Sequence, residues 1–391
     1  MTRLLHTAII LLIASTVSPF IYICLFATFN TDTFHQRRVF EDLSDMSWSS
    51  QPNQPTAGNT KAYQHNVSKW LGTDTKPPFT IFSEFLINPT GLCEDVTHLD
   101  YLIVVHSSFK HIARRQAIRD TFGRRGLFGH LSQRVVFLIG MSLKTRHSFR
   151  VKRESDTFQD IVQGPFLDTY ENLTLKAVMG LKWISLYCPN STYIIKIDDD
   201  VFVNIFLVIH TFLPQFQGQS HHIGCRYYKE DENLIKRPSD SSWSKWEVEE
   251  SQFDGLSGFP FGNCKGVFVI MSGDLIEPLL RAAEMTPFFW IDDLYLFGLL
   301  PLAVGDVTFT DLSPFFQHWY KHLKTCIRSD GTKCQNVVLV SNGMDDRFVL
   351  FSWQLMMSTI SNDTKTEFNM SEESFTKIVN IDDPYEVSQK K

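Results

Sequence analysis

The chain has 391 residues, a formal net charge of −6 at neutral pH and a sequence pI near 6.1. This acidic balance argues against a nucleic acid as the partner, because surfaces that bind DNA or RNA carry an excess of Lys and Arg. Hydrophobic residues make up 43% of the chain. The length therefore allows one large α/β domain with further segments on either side.

An uncharged apolar run near the N-terminus predicts a membrane anchor. Residues 8–29 contain no charged side chain, and a helix of this length crosses roughly 30 Å of hydrocarbon. A cleaved signal peptide is the alternative, but its apolar core is shorter, about 7–15 residues, and ends at a small-residue cleavage site. Arg3 before the run and Arg37 and Arg38 after it leave the orientation undecided. We expect an uncleaved signal anchor preceded by a short tail over residues 1–7.

Glycosylation sequons and cysteines indicate an oxidising, lumenal environment for the rest of the chain. The Asn-X-Ser/Thr sequons after the apolar run are at Asn66, Asn172, Asn190, Asn362 and Asn369. Six cysteines lie outside the run, an even number that suits disulfides, although six cysteines allow fifteen pairings. Cys326 and Cys334 are close enough in sequence to close a small loop, and this is the pairing that we predict.

Composition divides the chain after the apolar run into three parts. Residues 30–92 are rich in Ser, Thr, Asn, Gln and Pro and predict a stem that holds the folded part away from the membrane. Residues 93–335, here called the body, alternate apolar runs with helical patterns. Residues 336–391 form a C-terminal extension whose role the sequence does not indicate. The alternation in the body predicts a mostly parallel sheet with flanking helices and right-handed crossovers.

Three consecutive carboxylates, Asp198, Asp199 and Asp200, follow the apolar run at 193–197. The run is typical of a buried strand in a parallel sheet, because it is apolar without strict alternation. Ligands bind at the carboxyl ends of such strands. Hard oxygen ligands suit Mg²⁺ or Mn²⁺, and these ions usually also hold substrate phosphates. A solvated acidic turn is the alternative.

A second acidic pair, Asp292 and Asp293, lies between aromatic and aliphatic neighbours. Carboxylates in such surroundings are destabilising unless they are functional or hydrogen-bonded. Burial raises the pKa of a carboxyl, which suits a general base. The alternative is a structural role as the N-cap of a helix, which would explain Asp292 but not Asp293.

Other polar stretches allow two interpretations each. Arg114, Arg115 and Arg119 follow the first strand of the body and could meet phosphates, or form a solvated face or structural ion pairs. The polar segment 226–255 contains aromatic residues. These could be exposed and stack on sugar rings, or could pack together as a minor buried cluster. The Asp168-to-Glu171 spacing resembles a capping box before a helix.

The body resembles the metal-dependent β-1,3-glycosyltransferase family that includes β-1,3-galactosyltransferases, β-1,3-N-acetylglucosaminyltransferases and, more distantly, Fringe. The matching stretches keep their order across about 95–320. They are residues 114–123, 137–140, 168–176, 196–204, 245–246, 264–266 and 292–298.

The resemblance implies a type II Golgi membrane enzyme with a GT-A, Rossmann-like fold and a UDP-sugar donor. It implies Mn²⁺ held by Asp198 and Asp200, and inversion at the anomeric carbon with Asp293 as the base. Donor contacts are expected from Arg119, Lys176, Asp198 and Asp199, and an acceptor cleft from Trp246, Trp290 and Asp292. The acceptor is expected to be a hydroxyl on a glycoprotein or glycolipid glycan.

Two departures from the family pattern affect these expectations. The segment 259–266 has one extra residue and lacks the usual Tyr, and Thr310 stands where the family has a His before a Ser-Pro pair. Asp311 or His318 is therefore a possible third metal ligand. A glycosidase would also use two carboxylates, but it needs no metal-binding acid triplet. A catalytically silent homologue that binds glycans or assists another transferase is the alternative function.

Overall fold

The computed structural model describes residues 50–52, 60–72, 84–238, 245–317, 339–341 and 346–359. We number the strands β1 (Ser50–Pro52), β2 (Leu99–His106), β3 (Gln133–Met141), β4 (Ile161–Leu167), β5 (Ser191–Asp198), β6 (Val201–Val203), β7 (His222–Tyr228), β8 (Asn263–Ser272), β9 (Thr308–Asp311), β10 (Phe316–Gln317) and β11 (Leu339–Ser341).

The helices flank the sheet. Those with a single regular segment are α1 (Thr60–Leu71), α2 (Ile112–Asp120), α3 (Thr145–Phe158), α4 (Leu173–Tyr187), α6 (Ile276–Met285) and α8 (Asp346–Thr359). Two others contain a π-helical turn between α-helical turns. They are α5, over Ile205–Leu207, Val208–Phe212 and Leu213–Phe216, and α7, over Asp292–Leu294, Tyr295–Leu299 and Leu300–Val304.

The central sheet has the strand order β1-β9-β7-β8-β5-β2-β3-β4. The neighbours β5, β2, β3 and β4 are parallel, as are β7 and β9, whereas β8 runs antiparallel between β5 and β7. The interior strands are apolar and buried on both faces, as expected where helices cover a sheet. The predicted mostly parallel sheet with flanking helices is confirmed.

The sheet topology brings both predicted acidic motifs to one edge. The parallel strands β2 and β5 end side by side, with His106 paired to Asp198. Because β8 runs the opposite way, its first residues, including Gly266, lie at this same edge. The first turn of α7 packs against β8, so that the Asp293 carboxylate lies against Gly266.

Two disulfides stabilise the body. Cys93 is bonded to Cys188, which joins the segment before β2 to the end of α4, and Cys225 is bonded to Cys264 across β7 and β8. Both pairs differ from the one that we predicted. The segment that contains Cys326 and Cys334 lies outside the described residues, so that pairing stays a prediction.

Part of the predicted stem belongs to the folded body. Val67 and Leu71 of α1 are buried in the main core. The Tyr63 hydroxyl lies 2.7 Å from Thr286 Oγ1. The stem boundary predicted at residue 92 is therefore wrong for α1, because this helix carries an apolar face that the polar composition of the segment concealed.

The C-terminal extension also contributes to the fold. Strand β11 pairs with β6 and β10 in a second, three-stranded sheet. Helix α8 packs against α2 and β6, and Trp353 stacks on Phe206 with 5.8 Å between ring centroids. These contacts place α8 behind the strand that follows the acid triplet.

The predicted surface features fall partly within the described residues. Asn66 and Asn190 are exposed, whereas Asn172 is half-buried and its amide donates to the Leu167 carbonyl at 2.9 Å. Asn362, Asn369 and the apolar run at 8–29 lie outside the described residues. Within the part of the chain that is described, no helix is both long and apolar enough to cross a membrane.

Candidate active site

The middle acid of the triplet, Asp199, is buried and held by three donors. Its carboxylate accepts hydrogen bonds from Ser107 Oγ at 2.6 Å and from Arg114 at 2.9 Å, and lies 2.8 Å from His111 Nδ1. Burial raises the pKa of Asp199, but these donors outweigh burial and hold the pKa below its usual range. Both oxygens of Asp199 are therefore engaged within the protein, and its predicted contact with the donor stays a prediction.

The first acid, Asp198, faces a different partner. Its Oδ1 accepts a hydrogen bond from Lys196 Nζ at 2.8 Å, and about a third of the side chain is exposed. Lys196 is buried, and its ammonium also donates to the Gly266 carbonyl at 2.6 Å. One oxygen of Asp198 thus neutralises an internal cation, and the exposed part of the carboxylate can accept a ligand.

The third acid, Asp200, lies in the turn after β5. Burial raises the pKa of Asp200, and the neighbouring charges of Asp198 and Asp199 raise it further. Such like-charge repulsion is relieved when a cation binds between the acids. The hard oxygens of Asp198 and Asp200 suit a divalent cation that completes its shell with substrate phosphates.

The described residues contain no group of three or more His, Cys, Asp or Glu side chains arranged to hold a metal ion. Asp311, a predicted third ligand, instead accepts hydrogen bonds from the backbone of Tyr227 and from Ser313. Thr310 Oγ1 lies 3.1 Å from His222 Nε2. His318 lies outside the described residues. The described side chains thus offer a cation two carboxylates.

The second acidic pair lies in the first turn of α7. The N-cap position is Ile291, and neither acid caps the helix through its side chain. Burial and the adjacent Asp293 raise the pKa of Asp292 to about 7. Burial also raises the pKa of Asp293, although the Lys196 charge opposes the shift. The N-cap interpretation of Asp292 is therefore wrong, and both acids have the raised pKa that suits proton transfer.

The two acids of this pair face different surroundings. Asp292 Oδ2 lies 3.6 Å from His106 Nδ1, which is buried and has no hydrogen-bond partner among the described residues. Burial, and then Lys196 and Lys176, lower the pKa of His106, so its imidazole is neutral. Asp293 instead lies against Gly266, where an added Cβ would be 1.8 Å from Asp293 Oδ1. Asp292 thus faces the interior of the protein, while Asp293 lies along β8.

The predicted basic residues are engaged in ion pairs. The Arg119 guanidinium pairs with Asp160 at 2.7 Å and with Glu154 at 2.9 Å, and it lies over the rings of Phe137 and Phe158. Arg115 is fully buried and pairs with Glu154. The ion-pair interpretation fits these residues best, and the donor contact expected of Arg119 stays a prediction.

Lys176 is buried beneath the site. Its ammonium donates to Asp168 Oδ1 at 2.7 Å and to the Ser107 carbonyl at 2.6 Å. Asp168 also accepts the Phe109 backbone N–H, and it does not cap the following helix. The predicted capping box is therefore wrong, because the buried Lys176 requires the Asp168 charge as its partner. The donor contact expected of Lys176 stays a prediction.

Aromatic side chains lie beside the second acidic pair. The Trp246 indole N–H donates to the Tyr170 hydroxyl, and the Lys245 ammonium lies within 4.8 Å of both rings. Trp290 packs edge-on against Tyr170 at 6.2 Å. Burial, followed by the charges of Asp292 and its neighbours, raises the pKa of Tyr170. Tyr170 therefore lies between the acids and Trp246, whose side chain is 49% exposed.

The segment that departs from the family pattern is part of the core. Phe259 and Phe261 are buried against Phe253, and the Asn263 side chain bonds to Asn233 and the Phe261 carbonyl. The residues that depart from the family pattern therefore lie in the core behind β8.

Sequence reasoning missed several residues that shape the site: Ser107, His111, Lys196, Gly266, Tyr170 and His106. A signal existed for Lys196, because it stands two residues before Asp198 and alternate residues of a strand share a face. The others depend on contacts between distant segments, which the local pattern does not reveal.

Comparison with known proteins gives a consistent assignment. A sequence profile of the Galactosyltransferase family matches residues 113–311. Beta-1,3-galactosyltransferase 5 of Homo sapiens is 30% identical over 195 residues, which are 50% of this chain and 60% of that protein. Beta-1,3-galactosyltransferase 1 of Mus musculus is 30% identical over 244 residues, which are 62% of this chain and 71% of that protein. The match thus spans less than two thirds of the first relative.

Similarity to solved structures is weaker. The apo structure of the bifunctional glycosyltransferase WbbM covers 72% of this chain and 52% of its own, with 10% identity and a TM-score of 0.36. The family assignment therefore rests on the sequence matches.

Proposed function

The chain belongs to the galactosyltransferase family, and from that premise we propose that it is an inverting, UDP-sugar-dependent β-1,3-glycosyltransferase of the GT-A type. It would transfer galactose, N-acetylglucosamine or N-acetylgalactosamine to a hydroxyl of a glycan acceptor on protein or lipid. The observation that carries the proposal is the meeting of two acidic motifs at one sheet edge. Asp198 and Asp293 are linked there through Lys196 and Gly266.

Mn²⁺ is the proposed cofactor, with Asp198 and Asp200 as its protein ligands. The exposed part of Asp198 and the raised pKa of Asp200 both fit a cation site. When bound, the ion would act as a Lewis acid toward the charge that develops on the leaving diphosphate. Asp199 would keep the turn in place through Ser107, His111 and Arg114.

Asp293 is the proposed general base. Its carboxylate would take the proton of the acceptor hydroxyl as that oxygen bonds to the anomeric carbon. The bond from that carbon to the diphosphate oxygen breaks in the same step, and UDP leaves from the opposite face. One displacement inverts the centre and gives a β linkage from an α-linked donor. Asp292 faces His106 in the interior of the protein, so it is not the proposed base.

The acceptor would enter over the aromatic side chains beside the acids. Sugar rings present apolar C–H faces that pack on aromatic rings, and Trp246 offers an exposed ring beside Tyr170. Trp290 packs edge-on against Tyr170. We propose that these residues, with Asp292, form the acceptor cleft.

A Golgi location completes the proposal. The uncharged run at 8–29 would anchor the chain as a single-pass type II membrane protein with a lumenal body. The two disulfides are consistent with folding in an oxidising compartment.

A donor screen tests the function directly. Full-length protein in detergent is incubated with UDP-galactose, UDP-N-acetylglucosamine or UDP-N-acetylgalactosamine, with simple glycan acceptors, and with Mn²⁺ or a chelator. We expect one donor to be transferred with Mn²⁺ and little transfer with the chelator, and nuclear magnetic resonance of the product identifies the linkage. UDP binding without any transfer, over all three donors, would instead favour the catalytically silent homologue.

The base is tested with a conservative variant. Asp293→Asn is expected to reduce the transfer rate about 10²–10⁴-fold, which is typical of general-base removal, while calorimetric UDP affinity stays near the wild-type value. Asp292→Asn should lose less activity, and Asp254→Asn, at an exposed position, serves as the surface control. Near wild-type transfer by Asp293→Asn would show that another group is the base.

A further inference from the structure

A bulge in β8 releases the backbone of Gly266 from the sheet. Cys225 of β7 pairs with Val269, but the next residue, Arg226, pairs with Lys265. On the other side, the last registered pair with β5 joins Ile197 to Phe268. Gly266 is therefore in neither register, and its buried carbonyl can accept a hydrogen bond from a side chain.

Gly266 contacts both acidic motifs. Its carbonyl accepts a hydrogen bond from Lys196 Nζ at 2.6 Å, and the same ammonium donates to Asp198 Oδ1 at 2.8 Å. The Asp293 carboxylate lies directly against the Cα side of Gly266. Lys196 and Gly266 thus stand between Asp198 and Asp293 in continuous contact.

The missing side chain of Gly266 provides the space for Asp293. A Cβ at Gly266 would lie 1.8 Å from Asp293 Oδ1 and 2.6 Å from its Cγ. Real Cβ atoms do not approach other atoms so closely, and the backbone of β8 is fixed on each side of the bulge by ladder pairs. Any larger residue therefore forces the Asp293 carboxylate to move.

We propose that Lys196 and Gly266 are positioning residues that hold the proposed base at a fixed place relative to the proposed metal-binding acid. This inference rests on the proposed function. Asp198 ends β5 and Asp293 is the second residue of α7, so no local structure fixes the distance between them. Lys196 offsets the repulsion among the acids and connects the two elements, since it contacts both Asp198 and Gly266. β-Bulges are common beside active sites, where they redirect backbone groups or side chains.

The test is a set of variants of the full-length, detergent-solubilised protein with Mn²⁺ and UDP. Gly266→Ala is expected to reduce kcat about 10²-fold, because a 1 Å misplacement of a reacting group has effects of this size. Its UDP affinity should stay within about twofold, since Lys196 and Asp198 are unchanged. Gly91→Ala is the matched control, because a Cβ there meets only Glu94 Oε2 at an ordinary 3.7 Å. Lys196→Met should weaken UDP binding in Mn²⁺ about 10–100-fold, as loss of a residue behind a metal ligand does, and should also reduce kcat.

A double-mutant cycle separates positioning from general damage. In an Asp293→Asn background the base is already lost, so adding Gly266→Ala should reduce kcat by less than about twofold. Equal effects of Gly266→Ala with and without Asp293 would overturn the proposal. Near wild-type kcat for Gly266→Ala would overturn it too, and thermal melting identifies any variant that does not fold. If Lys196→Met does not fold, the Gly266 cycle decides alone.

A structural readout keeps this inference distinct from the proposed function. In a crystal structure of Gly266→Ala, the Asp293 carboxylate should be displaced from its wild-type position while the Lys196–Asp198 contact is kept. An unmoved Asp293 would overturn the positioning role whatever the activity. A displaced Asp293 in a protein whose wild type transfers no sugar would support positioning and reject the proposed function.

Discussion

Replacing Asp199 with Asn is expected to destabilise the protein, whereas replacing Asp200 with Asn is expected to remove metal-dependent nucleotide binding. The two acids are adjacent but have opposite surroundings. Asp199 accepts from Ser107, His111 and Arg114, and Asp200 is surrounded by like charges that raise its pKa after burial. An Asn at position 199 cannot match these contacts, because its amide nitrogen would face at least one donor.

The loss of stability expected for Asp199→Asn follows from how deeply the partners of Asp199 are buried. Removing one member of a buried ion pair typically destabilises a protein by about 3–5 kcal/mol. The Arg114 side chain is 20% exposed and the His111 side chain 36% exposed, so water recovers part of this loss. We expect about 2–3 kcal/mol for Asp199→Asn, which at about 2–4 °C per kcal/mol lowers the Tm by roughly 4–12 °C. Asp200→Asn removes a repulsive charge, so the metal-free Tm should be unchanged or higher.

The assay combines differential scanning calorimetry in chelator with UDP titration in Mn²⁺. Asp199→Asn should show a lowered Tm and nearly wild-type UDP affinity. Asp200→Asn should keep the wild-type Tm or exceed it, and should lose UDP affinity. Asp254→Asn is the control for a lost surface charge. The reasoning is refuted if Asp200→Asn lowers the metal-free Tm more than Asp199→Asn does. It is equally refuted if Asp199→Asn loses UDP affinity at an unchanged Tm, because Asp199 would then be a donor ligand.

Three further predictions concern residues outside the acid triplet. Burial lowers the pKa of His222 from 6.5 to about 4, so between these pH values the unfolded chain binds more protons than the folded chain, and stability falls as the pH falls. Urea titrations at about pH 4.5 and pH 7 should therefore show that the free energy of unfolding depends less on pH in His222→Gln than in the wild type. An equal pH dependence in both proteins would contradict the assignment. Arg119→Met leaves the buried Asp160 without its ion-pair partner, while Glu154 keeps Arg115, and should lower stability by about 3–5 kcal/mol without changing UDP affinity. Loss of affinity at unchanged stability would instead identify Arg119 as a donor ligand. Trp353→Ala should lower stability by about 3–5 kcal/mol, because the ring is fully buried against Phe206. Leu143→Ala, at an exposed position, is the control and should have little effect. Equal Tm values for the two variants would show that α8 is not part of the cooperative unit.

The elements nearest the acidic motifs were predictable because their patterns are local. The apolar run at 193–197 predicted β5, with bounds that the structure extends by two residues at the start and one at the end. The stem was misjudged because α1 buries only a narrow apolar face within a polar segment. The short strands β1 and β11 were missed because three residues give no periodic signal.

The site required information that the local pattern does not contain. Two acidic motifs about ninety residues apart in sequence were expected to serve one reaction, but the Asp293–Gly266 contact depends on the antiparallel direction of β8 and on its bulge. A register shift is decided by the packing of three strands together, so no single segment predicts it. The Asp199 partners likewise come from the loop after β2 and from α2.

The different roles of the three adjacent acids follow from strand geometry. Alternate residues of a strand point to the same face, so Lys196 and Asp198 share one side of β5 and meet at 2.8 Å. Asp199 points to the other side, where α2 supplies Arg114. A lysine two residues before an acid at the end of a buried strand is therefore a sequence signal in its own right. It indicates which acid faces the neighbouring strand β8, and hence which acid is linked to the base through Gly266.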